Sequence, residues 1–98
     1  MMNETSRAAL AAALCKKGPS KGRLLATAPR SNTLAYAAWQ GAMLCCNPFK
    51  ASIAGLIFMD SEQQQVMREV EAFFRAMPKA ERIAFDKDRA ALERLGVW

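Results

Sequence analysis

The stretch "LAYAAWQGAMLCCNPFKASIAGLIFMD", residues 34 to 60, carries one lysine and no acid before its closing aspartate. It constrains this chain more than any other feature. A membrane-spanning helix needs about 20 continuous apolar residues. The apolar run here lasts only from Leu34 to Cys46, and Asn47, Pro48 and Lys50 then break it. The residue before a proline is pushed out of the helical region, and Pro48 suits the first position of a new helix with Asn47 as its cap. The stretch therefore reads as two short helices, and membrane insertion is not expected.

In the first of these helices Thr33, Gln40 and Asn47 form one thin polar stripe, and the second is polar only at Lys50 and Ser52. Helices apolar nearly all round must be enclosed. In 98 residues the remaining chain can hardly cover both, since a chain this short buries only about two-thirds of its unfolded surface. Part of this pair is thus expected to meet another chain, most simply a second copy. Ala38, Gly41, Ala42 and Gly55 would let backbones approach there. Tyr36, Trp39, Met43, Phe49 and Phe58 would supply the contact area. An ordinary monomer core is the competing reading.

Around this pair the chain divides into helical segments. "NETSRAALAAALCKK" has capping residues, an Ala/Leu body and two terminal lysines before Gly18-Pro19, which predicts a helix over about 5–17. A basic loop follows at about 18–31, with one turn of helix expected near 23–26. Ser31 and Asn32 can cap the helix over "TLAYAAWQGAMLCC". Ser61 with Gln64 fits a capping box for the helix "SEQQQVMREVEAFFRAM", where Val66, Val70, Phe73 and Met77 recur at helical spacing, flanked by Met67 and Phe74. Pro78 opens a last helix closed by Gly96. Its stripe of Ala84, Ala91, Leu92 and Leu95 is interrupted by Asp88, so a break near Asp86 is one of two readings. The fold class expected is all-α: a single domain over 1–98, a small bundle of four or five short helices around a central apolar pair.

Charge is unevenly distributed. Residues 1–50 hold seven Lys/Arg against Glu4, a net of +6, and residues 51–98 hold seven against eight, a net of −1, which sum to the chain's +5. The cluster Lys16, Lys17, Lys21, Arg23 and Arg30 is the one group with evident binding chemistry. It suits an acidic protein surface or a phosphate backbone. No aromatic residue is interleaved to stack on bases, and no helix is rich in Arg, Asn and Gln for groove readout.

Several chemistries are disfavoured. The chain has no histidine, which removes the usual base of serine and cysteine hydrolases and the commonest metal ligand. Asp60 with Glu62 stand where a helix start attracts negative charge, and Asp86 with Asp88 stand among Lys87 and Arg89, so neither pair is expected to be catalytic. "GPSKG" lacks the spacing of a phosphate loop. Cys15, Cys45 and Cys46 cannot all pair within one chain, which favours a reducing cytoplasm over a disulfide scaffold. Lys16 and Lys17 occupy the place where a leader's cleavage site would sit, so no targeting leader is expected. With no enzyme, cofactor or metal expected, the leading reading is a non-enzymatic interaction module. It would act as a regulator, adaptor or inhibitor on a larger macromolecule with an acidic surface, as a homo-oligomer in the cytoplasm. The alternative is a nucleic-acid-binding regulator using the basic segment 16–30.

Overall fold

A computed structural model of the chain describes residues 2–17, 24–46 and 59–78, the side chain of Cys46 excepted. Three α-helices and no strands occur among the described residues: α1 (Glu4–Ala12), α2 (Leu34–Cys46) and α3 (Ser61–Arg75). The structure is mostly helical and compact, with a radius of gyration of 12.0 Å. The expected helices over 48–59 and 78–96 lie outside the described residues except at Met59 and Pro78, neither of which is helical.

Each helix begins where a side chain satisfies backbone amides that the helix itself leaves unpaired. For α1 this is Asn3, whose carboxamide oxygen accepts from Ser6 N–H at 2.8 Å. The helix is shorter than the sequence suggests and stops at Ala12. Its last turn tightens as Ala13 N–H reaches back three residues to the Leu10 carbonyl at 2.9 Å. Lys16 and Lys17 therefore lie beyond the helix rather than in its final turn.

Helix α2 is capped by Thr33, and not by Ser31 or Asn32 as their residue types suggested. The Thr33 hydroxyl donates to the Arg30 carbonyl at 2.7 Å and accepts from Tyr36 N–H at 3.2 Å. Ser31 has another role: its carbonyl, with that of Thr33, accepts from the Gln63 side-chain amide at 2.8 and 2.9 Å. That amide is 4% exposed and fastens the start of α3 to the start of α2.

Helix α3 carries a capping box one residue earlier than expected, built by Asp60 and Gln63. Asp60 Oδ1 accepts from Gln63 N–H at 2.8 Å, and Gln63 Oε1 accepts from Asp60 N–H at 3.1 Å. Both Asp60/Gln63 and Ser61/Gln64 fit the pattern in "DSEQQ". A carboxylate makes the stronger charge-assisted cap, and only Gln63 faces α2. Glu62 in the first turn and Arg75 in the last complement the helix dipole. Arg75 also pairs with Glu71 one turn back at 2.8 Å, an exposed contact worth a few tenths of a kcal/mol.

The core lies where all three helices meet, and α2 runs through its centre. From Tyr36 to Met43 every residue of α2 is buried. α1 contributes Ala9 and Leu10, and α3 contributes Val66, Val70 and Phe74. On α3 the fully buried aromatic is Phe74. Phe73 is only partly covered and meets Phe74 edge-on, with ring centroids 5.5 Å apart. The four-residue steps 66, 70, 74 stay on one face, and Phe73 rotates toward its edge.

Gly41 marks a close approach of α2 and α3. A Cβ there would stand 2.7 Å from the Met67 carbonyl oxygen and 3.4 Å from Glu71 N. The small residues of α2 do let backbones approach, but the partner at Gly41 is a helix of the same chain.

The start of α1 is tied down by a polar clasp. Asn3 N–H and Nδ2 donate to the two oxygens of Glu69 at 2.9 and 2.8 Å, across 66 positions of sequence.

Candidate interaction site

The basic segment leaves and rejoins the core through a closed neck. Leu14 and Leu24 form an isolated antiparallel bridge, and Leu25 N–H donates to the Ala13 carbonyl at 2.9 Å. Both leucines of the bridge are buried, so the neck is sealed by apolar contact as well as by backbone pairing. The helical turn expected near 23–26 is replaced, at Leu24, by this pairing.

Trp39 holds the neck to the core. Its indole N–H donates to the Leu25 carbonyl at 2.9 Å, so Leu25 is bonded on both sides of its peptide framework. A buried tryptophan normally finds a partner for its one polar atom. The ring is 2% exposed and stacks on Tyr36 at 6.2 Å between centroids.

On the loop side of the neck, Lys16 and Lys17 are exposed. Arg30 is also exposed, at the approach to α2, where its carbonyl receives the Thr33 hydroxyl. Lys21 and Arg23 lie outside the described residues. Between Glu4 and Asp60 the sequence contains no carboxylate, so no acid within this long stretch neutralises these cations.

The side chains expected at an interface between copies divide in two. Tyr36, Trp39 and Met43 are enclosed by their own chain, at 1%, 2% and 1% exposure. The covering that the sequence reading sought in a second copy comes for these three from the chain itself, because α1, α3 and the segment around Leu24 all pack on α2. Phe49 and Phe58 lie outside the described residues.

Two surface depressions flank α3. A groove of about 360 Å³ is lined by Glu69, Ala72, Phe73, Ala76 and Met77. A notch of about 90 Å³ is lined by Asn3, Thr5, Glu62, Gln65, Val66 and Glu69. The notch is acidic, but Glu69 is already engaged by Asn3 and, at 3.3 Å, by Gln65. Asp60 and Glu62 serve the start of α3, as their positions suggested; Asp86 and Asp88 lie outside the described residues.

Among the described residues no three His, Cys, Asp or Glu side chains come together as a metal site. Cys15 and Cys45 form no disulfide, and the Cys45 thiol donates to the Glu71 carbonyl at 3.7 Å. No described helix is long and apolar enough to cross a membrane. Burial pushes the Tyr36 hydroxyl above its ordinary pKa of 10.0. Its oxygen and that of Ser6 are buried without a hydrogen-bond partner among the described residues.

The link from Trp39 to Leu25 is the contact at the candidate site that sequence reasoning missed. The signal was an indole donor in an otherwise apolar helix, which implies a carbonyl partner without saying which. In comparisons with known proteins no family model, no curated protein and no solved structure matches this chain.

Proposed function

We propose that this chain is a non-enzymatic interaction module, a small regulator, adaptor or inhibitor that occupies an acidic surface on a larger macromolecule. The observation that carries the reading is the exposed Lys16–Lys17 pair beside a closed, core-anchored neck, in a stretch of 55 residues without a carboxylate (from 5 to 59). Lys21, Arg23 and Arg30 extend the same charge. Such a surface speeds encounter with an acidic partner and is sensitive to salt. Its cellular place is the reducing cytoplasm, and its architecture a small bundle of four or five short helices. Self-association enters in a narrower form, resting on Phe49 and Phe58. Light scattering at micromolar concentration should then exceed the 10.8 kDa monomer.

The second reading is a duplex-binding regulator that uses the same cations on phosphates. The burial of Tyr36 and Trp39 weighs against it for single strands, because neither ring is free to stack on a base. One titration separates the two. Fluorescent polyglutamate and random duplex DNA are titrated at low and physiological salt against the wild type and a Lys16→Ala/Lys17→Ala/Lys21→Ala/Arg23→Ala variant. Polyglutamate binding that weakens about tenfold in the variant, at roughly 0.2–1 kcal/mol per exposed charge, supports the acidic-protein reading. Binding confined to duplex, with a steep salt slope lost in the variant, moves the assignment to nucleic acid. Binding of neither probe at low salt removes both.

A further inference from the structure

The neck places two facts side by side that the charges alone do not connect. The lysines are at the surface, whereas the group that fixes the chain beside them, Trp39, is buried in the middle of α2. Two backbone contacts, Leu14 with Leu24 and Leu25 with Ala13, close a loop whose ends are otherwise ten residues apart in sequence. Closing such a loop costs chain entropy, and a loop closed before its partner arrives leaves less to lose on binding. The Trp39–Leu25 bond ties that closure to the helical core with a directed contact, beside the burial of Leu14 and Leu24.

We infer that Trp39 is a positioning residue for the Lys16–Lys17 pair, and that affinity for an acidic protein surface is set from inside the core through its indole N–H. This rests on the acidic-partner reading above. Tyr36 supports the indole ring by stacking, and the backbone of the buried Leu14 and Leu24 and the partly buried Leu25 carries the constraint outward to Lys16. Trp39 touches no partner in this scheme. Removing its donor leaves every charge in place and changes only how firmly the lysines are held.

The test is Trp39→Phe, which keeps an aromatic ring in the core and deletes the N–H. Polyglutamate affinity should fall about tenfold, the scale set by leaving a partly buried carbonyl without its donor. The salt slope should stay that of the wild type, because no charge has been removed. Trypsin, added to the folded variant, should cut after Lys16 or Lys17 about tenfold faster. A Lys16→Ala/Lys17→Ala variant should behave in the opposite way, with a shallower salt slope and a Leu25 amide that exchanges as slowly as in the wild type.

Unchanged affinity together with unchanged cleavage in Trp39→Phe overturns the inference. Should the wild type bind neither probe, the function reading fails, and the cleavage rate still decides whether Trp39 holds the neck. Loss of duplex binding in place of polyglutamate binding would overturn the acidic partner. If Trp39→Phe does not fold, hydrogen exchange on the wild type replaces it. The Leu25 amide and the Trp39 indole proton should then exchange as slowly as core helix amides, and exchange at the rate of open chain sinks the proposal.

Discussion

Helices α2 and α3 are near neighbours in length and packing, yet they are built on opposite plans. α2 is buried without interruption from Tyr36 to Met43, whereas α3 buries only Gln63, Val66, Val70 and Phe74 and turns its charges outward. α3 is a surface helix whose stripe meets the core. α2 is a central rod that α1, α3 and the neck surround. The difference teaches that a helix oily on every side does not by itself demand a second chain. In a small bundle it can be the axis around which the rest is wrapped.

Substitutions on the two helices can break or sharpen this contrast. The largest effect is expected on the α3 stripe, where Phe74→Ala should cost about 3–5 kcal/mol by opening a cavity in the core. Phe73→Ala, one position round the helix, should cost markedly less, and equal losses in urea unfolding would mean that α3 has no single inward face. Next is the contact from the α2 side. Gly41→Ala gains about 1 kcal/mol of helix propensity but drives a methyl into the Met67 carbonyl, so a net loss of about 1–3 kcal/mol is expected. A gain instead would show that the two helices separate easily.

The smallest effect concerns Tyr36 and has the opposite sign. Its hydroxyl is buried without a partner among the described residues, so Tyr36→Phe should be neutral or stabilising by up to about 1 kcal/mol. The pH dependence follows from its raised pKa. Below pH 10 the group is neutral in both folded and unfolded chains and stability does not depend on it. Above pH 10 the unfolded chain loses the proton first, so stability falls as pH rises toward the folded value. Tyr36→Phe should remove that part of the alkaline decline, as measured by thermal unfolding between pH 9 and 11.

How much of this was legible from residues alone follows from what each feature depends on. The existence of α2 was readable because an apolar, Ala-containing run follows residues able to cap a helix. The existence of α3 was readable because its stripe has the helical period. The caps of α2 and α3 each fell a residue away from the expected positions, since "RSNT" and "DSEQQ" offer overlapping solutions. Which one wins depends on Gln63 reaching the Ser31 and Thr33 carbonyls. The end of α1 was misjudged by several residues. Local propensity favours continuing through Lys17, but pairing between Leu14 and Leu24 pulls the chain away.

The candidate site was legible as charge and illegible as geometry. Lys16 and Lys17 could be named from composition. Their dependence on Trp39 could not, because that bond joins residues 14 positions apart through a side chain whose role looked purely apolar. The reassignment of Tyr36, Trp39 and Met43 from an outer surface to an inner one has the same origin. Sequence tells how oily a helix is, and only the arrangement of its neighbours tells who covers it.

The Asn3–Glu69 clasp bears on the order of assembly. α1 has nine residues, too few to persist as an isolated helix in water. Its starting residue is held by a carboxylate that is synthesised 66 residues later. During translation the Asn3 end of α1 must therefore wait for this bond until α3 has emerged. Of the three described helices, the earliest made is fully fastened only with the third.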